Sequence, residues 1–393
     1  PYNNKYLGDF MIFLDNAAGS YPKPQQVVQA MGRALEDYGA NPGRGGYELS
    51  LRASRAVYQA REKAAEFFGC PNPERLIFTS GATESLNIAL FGYLKKGDHV
   101  IYSGMEHNAL WRPLMRLVEL GTITATCVKA DRYGYVHISD FQAAIRPQTA
   151  LICCLHASNV TGCVQPLGQL GIIAASHKIP LLTDVAQSAG LLPISVADGH
   201  IALLAFAGHK GLYGPSGIGG LYVDEKIELQ PLIYGGTGSN SDQWQQPDYY
   251  PDRLESGTAN FAGIIGLSTA LDFVNECGID SLFARADSLC NRFIEGAGNI
   301  KGITLYLPRW QCRRLPVVSL NIKGLDSAEA AAALDEEYGI AVRSGLHCSP
   351  LAHKSIGTES LGGALRFSFG CFNTENQVER VLLSLRSLAD AQK

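Results

Sequence analysis

The 393-residue sequence holds no uninterrupted apolar run long enough to span a bilayer, so nothing in it reads as a transmembrane helix. It has no block of like charge, and its formal net charge is only −4 with a pI near 6.2, which argues against a nucleic-acid partner. The stretch PYNNKYLGDF lacks the basic start and apolar core of a secretion signal, and a cytoplasmic location is the expectation. No CxxC pair occurs, which removes the usual signature of structural zinc. There is no internal repeat and no low-complexity tail.

What is present is ordinary for a globular chain, at 46% hydrophobic and 18% charged residues, with enough length for one large domain and one smaller one. The ten cysteines are scattered, and Cys153 and Cys154 sit inside the apolar run ALICCLHA, a pattern of reduced thiols that fill a core. His347, Cys348 and His353 cluster closely enough to ligate a metal in principle. No second ligand group is visible nearby, and no metal is expected.

Short apolar runs alternate with helical patterns through the first two thirds of the chain, the signature of parallel strands joined by crossover helices. The expected strands are Arg75 to Thr79, His99 to Ser103, Ala150 to His156, Pro180 to Val185, Ala202 to Ala207 and Gly219 to Val223. Helices are expected from Glu84 to Tyr93, Ala109 to Leu120 and Leu167 to His177. From about Gly263 the character changes to one long helix through Glu295, strands at Val317 to Ile322 and Ala364 to Gly370, and helices near Asp326 to Tyr338 and Glu375 to Ala389. The fold class is α/β, a large domain over residues 1–260 and a smaller α+β domain over 261–393, with the N-terminal segment packing on the smaller one. The polar stretch Gly235 to Asp252 reads as a loop, mobile or held by a partner subunit.

Chemistry gathers where strands end. TSGATES follows a strand and opens a helix, so the N–H groups of Gly81, Ala82 and Thr83 form a cradle for an anion such as phosphate. An ordinary strand-to-helix turn reads the same way, and the motif gains meaning from its company. Asp184 in TDVAQS and Lys210 in GHKG are separated by one crossover and a return strand, which brings both to one carboxyl edge of a parallel sheet, where α/β ligands bind. A lysine there can form a Schiff base with pyridoxal phosphate, and a carboxylate keeps the pyridine ring protonated. His107 in MEHNA can stack on that ring or move a proton, and Asn159 in SNVTG and Gln187 can hydrogen-bond the cofactor's phenolate side. Five strand ends thus offer compatible groups.

These residues resemble the fold-type I pyridoxal-phosphate enzymes, within them the aminotransferase class V group that contains cysteine desulfurases and selenocysteine lyases. FLDNAAGS, TSGATESLN, MEHNA, SNVTG, DVAQSAG, GHKGLYGPSGIGGLYV, ESGTAN, RSGLHC and LRFSFG occur in the family's order over nearly the whole chain. The resemblance implies a mostly parallel seven-stranded sheet and pyridoxal 5'-phosphate as cofactor. It implies that Lys210 is the Schiff-base lysine, Asp184 the partner of the ring nitrogen, Gln187 the partner of the phenolate and His107 the stacking base. Thr83 and His209 then hold the phosphate, with Gly257 and Thr258 reaching it from the neighbouring subunit of a homodimer. Arg366 is implied to clamp the substrate carboxylate bidentately, with Asn16 and Asn159 beside the substrate. Cys348 matches the nucleophile that takes sulfur from L-cysteine as a persulfide, leaving alanine.

The resemblance departs at two positions. Ala207 stands where the family carries a hydroxyl, two residues before the histidine of the lysine motif, which implies one phosphate hydrogen bond fewer. Leu346 stands where the better-known subgroup has a second histidine, and SPLAHKSIGT is similar to a related branch. The activity implied is cysteine desulfuration. The alternatives are selenocysteine lyase, β-elimination of a cysteine derivative to pyruvate and ammonia, and a sulfur-relay module that works only with an acceptor protein.

Overall fold

A computed structural model describes residues 11–37, 41–42 and 45–392. The chain enters through β1 (Ile12–Phe13), α1 (Gln25–Asp37) and α2 (Glu48–Phe67). There follow β2 (Leu76–Thr79), α3 (Ala82–Tyr93), β3 (His99–Ser103), α4 (Asn108–Glu119), β4 (Thr124–Val128), α5 (Ile138–Ala144), β5 (Thr149–Cys153), α6 (Leu167–Ser176), β6 (Leu181–Asp184), β7 (Leu203–Ala207) and β8 (Gly219–Val223). The last third carries α7 (Phe261–Cys277), α8 (Ile279–Gly298), β9 (Ile303–Tyr306), β10 (Val317–Ile322), α9 (Ser327–Tyr338), β11 (Ile340–Ala341), α10 (Pro350–Ile356), β12 (Leu365–Ser368) and α11 (Glu375–Asp390).

Seven strands form one sheet in the order β2-β8-β7-β6-β5-β3-β4. β8 pairs antiparallel with both β2 and β7, while the β3–β4, β3–β5, β5–β6 and β6–β7 pairs are all parallel. One strand therefore runs against the other six. β6 and β7 are buried along their whole length, as strands covered on both faces must be, and their near-continuous apolar sequences follow from that. The sheet's edge strand β4 reads TATCV and is partly exposed, so it lacks the apolar run that marks its neighbours in the sequence.

Because the strands are parallel, Thr79, Ser103, Cys153, Asp184 and Ala207 all end at one edge, and the loops beyond them face one another. A second sheet, β12-β10-β9, is antiparallel, and its apolar face joins Phe293 of α8, Leu334 of α9 and Val381 of α11. The N-terminal segment is stitched to the same cluster: β1 pairs with β11, and Ile12 and Leu14 are buried there.

The expected helix from Gly263 to Glu295 is in fact two. Gly278, at φ 79°, ends α7 and starts α8, a conformation that costs a glycine nothing and breaks the helical hydrogen-bond ladder. The strand expected to run to His156 stops at Cys153, after which the chain turns toward the site. The stretch from Gly235 to Asp252 has neither helix nor strand and is tied to its own chain, with Gln246 Nε2 donating to Ser256 Oγ at 2.9 Å.

Phe293 anchors the second sheet, its ring 4.8 Å from Phe367 and 5.3 Å from Phe369. Phe293→Ala is expected to lower unfolding free energy by about 3–5 kcal/mol, measured by urea titration, because the vacated volume lies between rings that cannot collapse into it.

Candidate active site

The segment Leu14 to Lys23 runs along the carboxyl edge and touches nearly every group there. Asp15 accepts a hydrogen bond from Arg366 Nη2 at 2.5 Å. Ala17 N donates to Ser368 Oγ at 2.9 Å, and the Ala17 carbonyl accepts from Gln187 Nε2 at 3.0 Å. Farther on, the His209 carbonyl accepts from Ser20 N at 3.0 Å and from Lys23 Nζ at 2.7 Å. Burial pulls the Lys23 ammonium down to about 8. One turn-containing strap thus fixes both the arginine on β12 and the peptide leading into Lys210.

Beside the strap lies a cavity of about 310 Å³, lined among others by Thr83, His107, Asp184, Lys210, Arg343 and Arg366. Gly81 caps α3 at φ 150°, and a Cβ placed on it would meet nothing within 4 Å, so the backbone there opens onto free space. The N–H groups of Ala82 and Thr83 have no partner among the described residues, which leaves the start of the helix ready for an anion. Glu84 reaches back from the same turn to Ser80 N at 2.6 Å. Ala207, the position without a hydroxyl, packs with Ala82 and Ala186 as a small apolar wall.

Asp184 is buried at the end of β6, its Oδ1 accepting from Ala186 N at 2.8 Å. Burial raises its pKa, while Lys210 and that N–H pull the other way. Lys210 opens onto the cavity yet is enclosed by protein, and burial lowers its ammonium against the opposing pull of Asp184. His107 caps α4, its Nδ1 accepting from Ala109 N at 3.0 Å, so the neutral ring carries its proton on Nε2. Burial, and then the charge of Lys210, push His107 down to about 4. His209 is likewise pushed to about 4, by burial first and then Lys210.

Arg366 has no solvent exposure. Its Nη1 donates to the Asn159 carbonyl at 3.1 Å, and its Nε has no partner among the described residues. Cys348 is exposed, and Arg343 Nη2 lies 3.2 Å from its Sγ. The cysteine sits on an unusual turn: His347 at φ 50° and Cys348 at φ 57° are both in the left-handed region, each at a cost of roughly 1–2 kcal/mol for a residue with a Cβ.

Several expected residues are used differently from the sequence reading. Asn159 lines the cavity, but its amide serves the Cys348 turn: Nδ2 donates to the His347 carbonyl at 2.7 Å and Oδ1 accepts from Ser349 Oγ at 2.7 Å. Asn16 donates to the Ser368 carbonyl at 2.9 Å and lines, with Lys210, a small cavity apart from the larger one. Gly257 and Thr258 are exposed and line a neighbouring cavity of about 460 Å³, which shares Ser80 and Glu84 with the first. His347 and His353 face each other through ring nitrogens 3.0 Å apart, so those nitrogens are engaged with one another. Asp15, Arg343 and Glu106 were not singled out in the sequence. Each lies inside a quoted motif, but only the tertiary contact reveals its use.

A mostly parallel sheet with a lysine, a buried aspartate and a helix N-terminus converging on one cavity defines an α/β enzyme of the aminotransferase type. The chain belongs to the aminotransferase class-V family, whose model matches residues 12–381. It is 35% identical to a probable cysteine desulfurase of Methanothermobacter thermautotrophicus over 384 residues, covering 96% of this chain and 94% of that one. It is 32% identical to a probable cysteine desulfurase of Pyrococcus abyssi over 389 residues, covering 96% and 94%. Among solved structures, the apo cysteine desulfurase of Thermococcus onnurineus superposes with a TM-score of 0.90 at 32% identity, covering 97% of this chain and 95% of that one. The cysteine desulfurase CsdA of Escherichia coli gives 0.88 at 27% identity, covering 98% and 96%.

Glu106 is fully buried, with Oε1 accepting from Ser103 Oγ at 2.5 Å and from Leu155 N at 2.9 Å while Oε2 has no partner among the described residues. Burial raises its pKa from 4.5 to about 8, against the pull of those two donors. The folded state therefore holds a proton that the unfolded chain releases, and stability contributed by the neutral form is lost as pH rises from about 4.5 toward 8. Glu106→Gln, which cannot ionise, is expected to gain stability relative to the parent on moving from mildly acid to mildly alkaline buffer, read as the shift in urea midpoint at each pH. A constant difference across that range would contradict the assignment.

Proposed function

We propose that the chain is a pyridoxal-phosphate-dependent cysteine desulfurase that moves sulfur from L-cysteine to Cys348. The observation that carries this reading is a cavity lined by Lys210, Arg343 and Arg366, with Arg343 Nη2 3.2 Å from the exposed Cys348 thiol, in a chain whose relatives are named cysteine desulfurases. The donor set fits the cofactor: an enclosed amine, a buried carboxylate at a strand end, two unpartnered N–H groups at a helix start, and a glycine whose missing side chain leaves the cradle open. When bound, pyridoxal phosphate supplies an aldehyde for the amine and an electron sink for the substrate's α-carbon.

Each residue then has a task. Ala82, Thr83 and His209 would hold the phosphate, and the Asp184 carboxylate would keep the ring nitrogen protonated. Gln187 retains a second N–H that would serve the phenolate side, since only one is given to Ala17. Neutral His107 would support the ring. The Nε–H of Arg366, without a partner among the described residues, would serve the substrate carboxylate. Lys210 Nζ, drawn toward its neutral form by burial, takes the α-proton. Cys348 Sγ attacks the substrate sulfur; the carbon–sulfur bond breaks, alanine leaves and the thiol becomes a persulfide. Its exposure suits delivery to a reductant or an acceptor protein.

A homodimer belongs to the same proposal. Gly257 and Thr258 line the adjoining cavity, and Leu232, Ile233, Tyr234 and Trp244 nearby in sequence are exposed, Trp244 at 90%, as expected of a face that a second copy covers. The division at residue 260 into a cofactor domain and a smaller domain bearing Cys348 and Arg366, and a cytoplasmic setting that keeps the thiols reduced, complete it.

Purified protein loaded with cofactor and given L-cysteine with a thiol reductant is expected to yield alanine in step with sulfide, and, when the reductant is left out, a mass gain of one sulfur atom on Cys348. Accumulation of pyruvate in place of alanine would overturn the reading in favour of β-elimination. Lys210→Ala is expected to lose the visible absorbance of the bound cofactor and at least about 10²-fold in turnover, the lower range for removing a positioned base. Ala207→Ser is expected to tighten cofactor binding by about 1 kcal/mol, one added neutral hydrogen bond, in an absorbance titration.

A further inference from the structure

Cys348 is carried on a turn that a free chain would not choose, with Gly345, His347 and Cys348 all at positive φ. Such a turn persists only when its surroundings over-determine it. Two holds are evident at once. Asn108 N donates to the Cys348 carbonyl at 2.8 Å, and Asn159 Nδ2 donates to the His347 carbonyl at 2.7 Å. The third is a buried relay of side chains that the reaction itself does not use.

In that relay His347 Nε2 lies 3.3 Å from the Arg343 carbonyl, His347 Nδ1 lies 3.0 Å from His353 Nε2, and His353 Nδ1 lies 2.7 Å from Thr358 Oγ1. A carbonyl only accepts, so His347 donates from Nε2 and accepts at Nδ1. His353 must then donate from Nε2 and accept at Nδ1, and the Thr358 hydroxyl donates. Every ring nitrogen is satisfied with both imidazoles neutral, and the direction of the relay is fixed. His347 is 2% exposed, and His353 and Thr358 are at 0%, so a broken link would strand a polar atom away from water. The relay ends on the backbone of Arg343, the residue whose guanidinium touches Cys348 Sγ. Neither His353 nor Thr358 lines the Lys210 cavity.

We propose that His353 is a positioning residue for Cys348: backed by Thr358, it locks His347 in the left-handed turn that aims the thiol, and so controls sulfur transfer without touching the amino acid. The inference rests on Cys348 being the sulfur acceptor, and its test separates the two. Cofactor-loaded parent, His353→Ala, His353→Gln and Thr358→Val are compared for kcat and KM with L-cysteine and for persulfide on Cys348 in a single turnover. Amide hydrogen exchange is followed on the cofactor-free proteins.

His353→Ala is expected to lose on the order of 10²-fold in kcat, the scale of a misplaced reacting group, with KM unchanged because Arg366 is untouched. Exchange should quicken in peptides spanning 345–352 and not in the seven-stranded sheet. His353→Gln, whose amide can still donate to His347 Nδ1, should recover most of the rate. Thr358→Val, close to isosteric, should shift kcat in the same direction by less, and it decides the matter if His353→Ala folds poorly. Parental kcat in His353→Ala, or kcat, KM and sheet exchange all moving together, overturns the positioning role. A parent that forms no persulfide on Cys348 overturns the functional reading and this inference with it.

Discussion

The ion pair between the buried Arg366 and the partly exposed Asp15 is the contact on which the site depends. Arg366 is wholly enclosed on β12, and its charge is tolerable only because Asp15 lies 2.5 Å from Nη2 and the Asn159 carbonyl accepts from Nη1. Removing Asp15 strands the buried arginine charge, at about 3–5 kcal/mol. The pair also has a positional consequence. Asp15 belongs to the strap that continues to Gln187 and the His209 carbonyl, so the anchor of the arginine is the anchor of the lysine loop as well. Two sheets far apart in sequence are registered on each other through the segment from Leu14 to Lys23.

Charge inside this region is arranged so that few groups are ionised against burial. His107 and His209 are pushed to about 4 by burial and the nearby Lys210, and Glu106 is pushed up to about 8, so all three are neutral near pH 7. The other charged side chains here are Arg343, Arg366 and Lys210, facing Asp184 and Glu84 in the lining and Asp15 paired with Arg366. The two arginines suit an anionic amino acid carboxylate and the open helix start suits a phosphate, which is how the geometry and the family membership agree.

Much of the sheet was legible from the sequence, because parallel strands covered on both faces must be apolar throughout and are spaced by crossover helices. The ends of those strands then predicted which polar residues would meet, and Lys210, Asp184, His107 and Thr83 do line one cavity. What periodicity could not supply were β4, whose edge position leaves it too polar to stand out, and the break at Gly278, since the helical pattern continues across it. Asn159 was legible as a member of a strand-end loop and Asn16 only through the FLDNAAGS motif, neither of them in what its amide binds. An amide donates and accepts with equal ease, so its partner is set by whichever backbone is brought within 3 Å, here the His347 carbonyl for Asn159 and the Ser368 carbonyl for Asn16.

The sequence by itself determined the sheet order's parallel logic, the lysine and aspartate at neighbouring strand ends, and the likeness to class V aminotransferases, because those depend on local pattern and on residue types at fixed spacing. Only the tertiary structure decided that Asp15 partners Arg366, that Arg343 meets the Cys348 thiol, and that a relay from Thr358 through His353 and His347 holds the turn beneath it. Those contacts join segments hundreds of residues apart or fold back within a loop of irregular dihedrals, and neither hydrophobic period nor spacing encodes them.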